Sequence, residues 1–118
     1  MFKKRNSLLL LNDIMDAIIT IEGYLQDFTE DGFYNDRKTK DAVVRNFEII
    51  GEASRQIPEE FTSRYPEIEW RETADLRNKI IHEYFGVDYV LLWEIVQLDL
   101  PSLKQKIQFL ISSIPGNS

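Results

Sequence analysis

Cysteine is absent, and histidine occurs once among 118 residues. The first absence excludes disulfides, thiolate metal sites and a cysteine nucleophile, and it fits a reducing, cytoplasmic setting. The second excludes any zinc site that draws two or three imidazoles from one chain. No apolar run approaches the ~20 residues of a membrane span. At the N-terminus, MFKKRNSLLLLNDIMDAI places basic residues before four leucines. Asn12, Asp13 and Asp16 interrupt that run and no small-residue cleavage site follows, so it reads as the lead-in to a helix. Strand-like alternation, glycine-rich phosphate loops and internal repeats are also missing. The net charge of −6 leaves no overall attraction for nucleic acid, so any such site must be a local basic pocket, fed by a partner or a second subunit.

What is present is helical periodicity in a composition that is ordinary for a globular chain, 43% apolar and 29% charged. Leu11, Ile14, Ile18, Ile21, Leu25 and Phe28 form one apolar stripe. That helix is expected to end near Phe28, because TEDGFYNDRKT is polar, contains Gly32 and reads as a loop whose role is not legible. A second helix is expected from an N-cap at Thr39, with Asp41 in its first turn and Pro58 closing it. Its stripe is Val43, Phe47, Ile50, Ser54 and Ile57, and the small Gly51 and Ala53 allow a neighbour to approach. Arg45, Asn46, Glu48, Glu52 and Arg55 read mainly as a solvated face, with Arg45 and Glu52 on one side of it.

PEEFTSRYPEIEWRE is expected to be a connector. A third helix should run from Trp70 or Arg71 through LRNKIIHEY until Gly86 ends it. Asp88 can cap a fourth, burying Leu91, Leu92, Ile95 and Val96, while Leu103, Ile107, Leu110 and Ile114 continue the apolar side. Pro101 belongs in the first turn of a helix, so this region is either one kinked helix or two meeting at Leu98 to Pro101. PGNS reads as a frayed end. The expectation is a single all-α domain over residues 1–118, an antiparallel bundle of four to five helices.

The stretch DLRNKIIHEYF carries the sole histidine. On an ideal helix Arg77, Ile81 and Tyr84 share one face, whereas His82 lies roughly 140° from Arg77. A lone histidine near a helix C-terminus commonly has only a dipole or hydrogen-bonding role. The chemical alternative is RNA cleavage without metal or cofactor. Imidazole titrates near neutrality and suits acid–base work, and a guanidinium fork suits phosphate oxygens. Asn78 adds neutral donors. One histidine does not readily act as acid and base at once, so an enzyme of this kind calls for a two-fold dimer with two His82 and two Arg77 in one cleft.

Arg77-Asn78-Lys79-Ile80-Ile81-His82 resembles the R-N-x3-H signature of the HEPN superfamily. With Tyr84 it makes R-x4-H-x-Y, which resembles the HepT-like toxin branch. DAVVRNFEIIGEASRQIP, W-x6-LRNKIIHEYFGVD and LLWEIVQLDLPSLKQKI agree in order, so the resemblance runs from about Asn12 to Ile111. RETADLRNK departs from it around Thr73 to Asp75, where relatives often carry a glycine or a larger apolar residue. The resemblance implies an endoribonuclease toxin of a type II toxin–antitoxin pair, dimeric, with Arg77 and His82 catalytic, Asn78 supporting and no metal. It also implies an MntA-like nucleotidyltransferase antitoxin that transfers AMP onto Tyr84. A non-catalytic helical module that binds such a partner, nucleotide or RNA is the competing expectation, and a plain structural protein is a third.

Overall fold

The apolar stripes decide the long helices. In the computed structural model, which describes residues 2–82 and 84–114 with side chains from residue 7 onward, α1 spans Phe2–Leu25 and α3 spans Arg37–Gln56. Leu11, Ile14, Ile18 and Ile21 of α1 are fully buried, as are Val43, Phe47 and Ile50 of α3, against which α1 packs. Each such side chain contributes about 1.5–3 kcal/mol relative to exposure. The fold is all-α, a HEPN-like bundle. Among the described residues, no helix is long and apolar enough to cross a membrane.

The polar stretch after α1 is not a plain loop. α1 stops at Leu25, and Thr29 then caps a short helix, α2 (Glu30–Tyr34), by accepting a hydrogen bond from the Gly32 N–H. α2 exists because it buries Phe33 completely, against the rings of Tyr89 and Trp93. Lys40 lies 4.5 Å from the centre of the Tyr89 ring, and burial raises the Tyr89 phenol above its usual pKa. α3 starts at Arg37, two residues ahead of the expected cap. Asp36 is the N-cap, and Thr39 supplies the N–H that Asp36 accepts. The following connector contains one short helix, α4 (Glu59–Thr62).

The largest departure is the third helix. It begins at Trp70 as expected but is broken at once into α5 (Trp70–Ala74) and α6 (Leu76–Ile80), with Asp75 between them at φ −98°, ψ 8°. It does not continue to Gly86. Ile81–His82 form a short strand, β1, antiparallel to β2 (Gly86–Val87), in register Ile81 with Val87 and His82 with Gly86. Three features defeat the helix. Ile80 and Ile81 are β-branched and favour extended backbone. The carbonyl of Ile80 accepts the Asp88 N–H at 2.6 Å. Gly86, at φ +78°, supplies the left-handed residue that closes the turn.

The last helical region resolves as one run. α7 (Tyr89–Glu94) passes through a five-residue π stretch, Ile95–Asp99, into α8 (Leu100–Ser113) without leaving helical backbone. Pro101 lacks an N–H and its ring crowds the carbonyl four residues earlier. Widening the preceding turn, with the Leu100 N–H bonded to the Ile95 carbonyl, accommodates it. Leu92, Ile95, Val96, Ile107 and Leu110 are buried as the periodicity requires, while Leu91, Leu103 and Ile114 are half-buried at the margin of the core. The expected fray at PGNS lies outside the described residues.

Gly51 marks the closest approach between α3 and α5: a Cβ there would sit 3.0 Å from the Ala74 carbonyl oxygen. Replacing Gly by Ala inside a helix ordinarily gains about 1 kcal/mol. Here Gly51→Ala should gain nothing, and Gly51→Val should destabilise by about 1–3 kcal/mol. Urea denaturation of the three proteins measures both.

Candidate active site at the α6–hairpin junction

α6 is anchored by Leu76 and Ile80, four residues apart and both buried, which turns Arg77 and Asn78 outward. The Arg77 Nε donates to Glu48 Oε2 of α3 at 2.9 Å. This is its one hydrogen bond or ion pair among the described residues, so both terminal guanidinium nitrogens are left without a polar partner there. Asn78 Nδ2 donates to Asp75 Oδ1 at 2.7 Å, tying the amide to the break that precedes α6. Between α3 and α6 lies an open groove of about 540 Å³, lined among others by Arg45, Glu48, Glu52, Arg55, Arg77 and Asn78. Three arginines against two glutamates make it locally cationic in a chain of net charge −6.

Arg55 has a structural task. Its Nη2 donates to the Ala74 carbonyl at 2.9 Å, at the point where the α5–α6 break exposes that oxygen, and its Nη1 bonds Glu52 at 3.1 Å. A terminal carbonyl left by a helix break needs a donor, and here a side chain from the neighbouring helix provides it.

His82 does not line the groove. It sits on β1, half-exposed, with Nε2 3.7 Å from Asp88 Oδ2. That distance is too long for a hydrogen bond and suits an ion pair with the protonated ring. Asp88 is itself held twice: its N–H donates to the Ile80 carbonyl, and its Oδ1 accepts from the Leu91 N–H as the N-cap of α7. One carboxylate thus caps a helix with one oxygen and faces the imidazole with the other. Tyr84 and Phe85 stand at the hairpin tip, 87% and 89% exposed.

Of the four site residues expected from sequence, the structure places Arg77 and Asn78 together in the groove, His82 on the adjoining hairpin and Tyr84 in solvent at its tip. The expectation that Tyr84 shares a helical face with Arg77 is overturned, because the helix ends at Ile80. So is the 140° argument separating Arg77 from His82, which presumed one continuous helix. Two carboxylates escaped the sequence reading. By spacing, Glu48 belongs to a solvated face, and the position of Asp88 signals only a cap. Glu48 is 29 residues from Arg77, so no local spacing signals the pair. For Asp88 a faint signal existed, an acidic residue six positions after the sole histidine and just beyond a turn glycine.

The family model for ribonuclease HepT-like proteins matches residues 14–110, a span that includes every residue named in this site. The chain belongs to the HepT-like family. It is 49% identical over 105 residues to "Probable ribonuclease HepT" of Thermococcus cleftensis, covering 89% of this chain and 96% of that one. It is 39% identical over 113 residues to a "Putative RNase" of Methanocaldococcus jannaschii, covering 96% and 93%. A second protein of that organism, named "Gamma-glutamylcyclotransferase and putative RNase", is 44% identical over 107 residues. The match spans 91% of this HepT-like chain but 48% of that longer protein. No solved structure matches.

The double use of Asp88 makes a separable prediction. Asp88→Ala removes the α7 cap and should cost about 1 kcal/mol, within the usual range of ~0.5–2. Asp88→Asn keeps an acceptor for the Leu91 N–H and should cost less than half as much. Urea midpoints of the two variants check this.

Proposed function

We propose that this HepT-like chain is an endoribonuclease toxin that acts in the cytoplasm as a homodimer, with Arg77 and His82 as its catalytic pair and Asn78 in support. The observation that carries the reading is the state of Arg77: a guanidinium tethered through Nε alone, with its two-pronged end open to a groove. That end matches a phosphate in geometry and charge. A half-exposed imidazole follows two residues beyond the same helix, with the Asp88 carboxylate 3.7 Å away. Family membership and the ribonuclease names of its relatives support the same activity.

In the proposed reaction an imidazole takes the proton of the RNA 2′-hydroxyl. The 2′-oxygen bonds to the adjacent phosphorus, and the bond to the 5′-oxygen of the next nucleotide breaks as that oxygen receives a proton. The products are a 2′,3′-cyclic phosphate and a 5′-hydroxyl, with no metal required. Arg77 stabilises the extra negative charge of the phosphorane. Each chain has one histidine, so acid and base together call for two copies of His82, which a two-fold dimer provides.

The regulatory part of the reading concerns Tyr84. Its hydroxyl is reachable by another enzyme without local unfolding, since the side chain is 87% exposed. An MntA-like nucleotidyltransferase antitoxin would join AMP from ATP to the phenolic oxygen and release pyrophosphate. The added phosphodiester is bulky and anionic, and it would stand two residues from His82, where it competes with the RNA backbone.

Purified protein should cleave RNA in the presence of EDTA and leave cyclic phosphate ends, while His82→Ala should reduce the rate by at least about 100-fold with the dimer intact by light scattering. RNA binding without cleavage would instead support a non-catalytic helical module. For the antitoxin, the readout is intact-mass and peptide mass spectrometry after co-expression with the nucleotidyltransferase. One or more AMP additions should map to Tyr84 and vanish in Tyr84→Phe.

A further inference from the structure

The three arginines of the α3–α6 groove are not equivalent. Arg55 is committed to the Ala74 carbonyl and Glu52. Arg77 is committed at Nε only. Arg45 is exposed and has neither an ion pair nor a hydrogen-bond partner among the described residues. A solvated arginine on a helix face is ordinary by itself, and its place is what makes this one informative. Arg45 precedes Glu48 by three positions on α3, so the two occupy one face about a turn apart. Glu48 is the residue that holds Arg77, so Arg45 stands one helical turn from the carboxylate that anchors the Arg77 fork, in the same groove. The Glu48 charge is offset by Arg77 and the Glu52 charge by Arg55, which leaves Arg45 as the groove's uncompensated cation.

We propose that the α3–α6 groove is a track for the sugar–phosphate backbone of single-stranded RNA, in which Arg77 takes one phosphate through its terminal nitrogens and Arg45 takes a neighbouring one. The choice of RNA as ligand rests on the ribonuclease reading; the groove's affinity for a phosphodiester backbone rests on the arginines alone. The arrangement also resolves how a chain of net charge −6 can hold a polyanion. The attraction is confined to one groove whose acidic residues are already paired, so their repulsion is largely cancelled at short range. Backbone phosphates carry no base identity, so Arg45 contributes affinity and register and not sequence preference.

The test uses two probes. A fluorescently labelled single-stranded DNA, which lacks the 2′-hydroxyl and is not cleaved, reports binding by anisotropy over a range of salt concentrations. An RNA of the same sequence reports cleavage at limiting substrate. Arg45→Ala should weaken DNA binding about fivefold at fixed salt and lower the steepness of log affinity against log salt by about 0.7, the contribution of one phosphate contact on a single strand. It should lower kcat/KM on RNA by a similar factor. Arg45→Lys should restore most of the salt dependence, and Arg64→Ala, outside the groove, should change neither quantity. Unchanged affinity and salt dependence in Arg45→Ala overturn the proposal. The two readings fail separately. A wild type that binds with this dependence but does not cut RNA removes the ribonuclease and keeps the groove. A wild type that cuts RNA no faster than Arg45→Ala at limiting substrate keeps the ribonuclease and removes the groove.

Discussion

The Ala74 carbonyl is the point on which the rest of the site depends. It lies against Gly51, where an added Cβ would come within 3.0 Å of it, and it accepts from the Arg55 guanidinium. Both contacts come from α3, the helix whose opposite side is buried against α1. The long two-helix core therefore dictates where α5 stops, and the break at Asp75 dictates how α6 leaves. With a continuous helix, Arg77 and His82 would be fixed relative to each other by helical rotation alone. The break at Asp75 directs Arg77 onto α3, and the separate end of α6 at Ile80, set by the Asp88 N–H and the Gly86 turn, lets the chain fold into a hairpin.

Electrostatics in this site work through pairing and not through bulk charge. Glu48 fixes Arg77 through one nitrogen, Asp75 fixes Asn78, and Asp88 faces His82 while capping α7. Arg77 and Asn78 are thus each held by a carboxylate from another position in the chain, and His82 faces one. These pairs are partly exposed and contribute little to stability. Their larger consequence is orientation, since an arginine tethered at Nε has fewer ways to present its other two nitrogens.

Even the short α2 bears on this arrangement. By burying Phe33 against Tyr89 and Trp93 it pins the start of α7, and Asp88 is the residue that begins that helix. At the tip of the hairpin, Tyr84 is almost fully exposed. The same turn therefore carries a residue beside the imidazole and one wholly open to solvent. In the proposed regulation, that proximity lets a modification at an accessible tyrosine act on a half-exposed histidine.

The sequence by itself determined the long helices, because periodic burial of apolar side chains is a local pattern that survives any arrangement of neighbours. Val43, Phe47, Ile50, Ser54 and Ile57 are buried as their spacing requires, and Asp88 caps α7 as its position suggests. Gly51 was legible as a site of close approach for the same reason, its lack of a side chain. The family was legible too, since four ordered segments surround R-x4-H-x-Y. Tertiary structure decided that the motif helix breaks at Asp75 and ends at Ile80, and that a helix lies within TEDGFYNDRKT. Each of those depends on a partner outside its own segment: α3 for Ala74, Tyr89 and Trp93 for Phe33, and Asp88, across the hairpin, for Ile80. No spacing rule within a single helix contains such a partner, and for that reason Glu48 stayed hidden until Arg77 was seen to touch it.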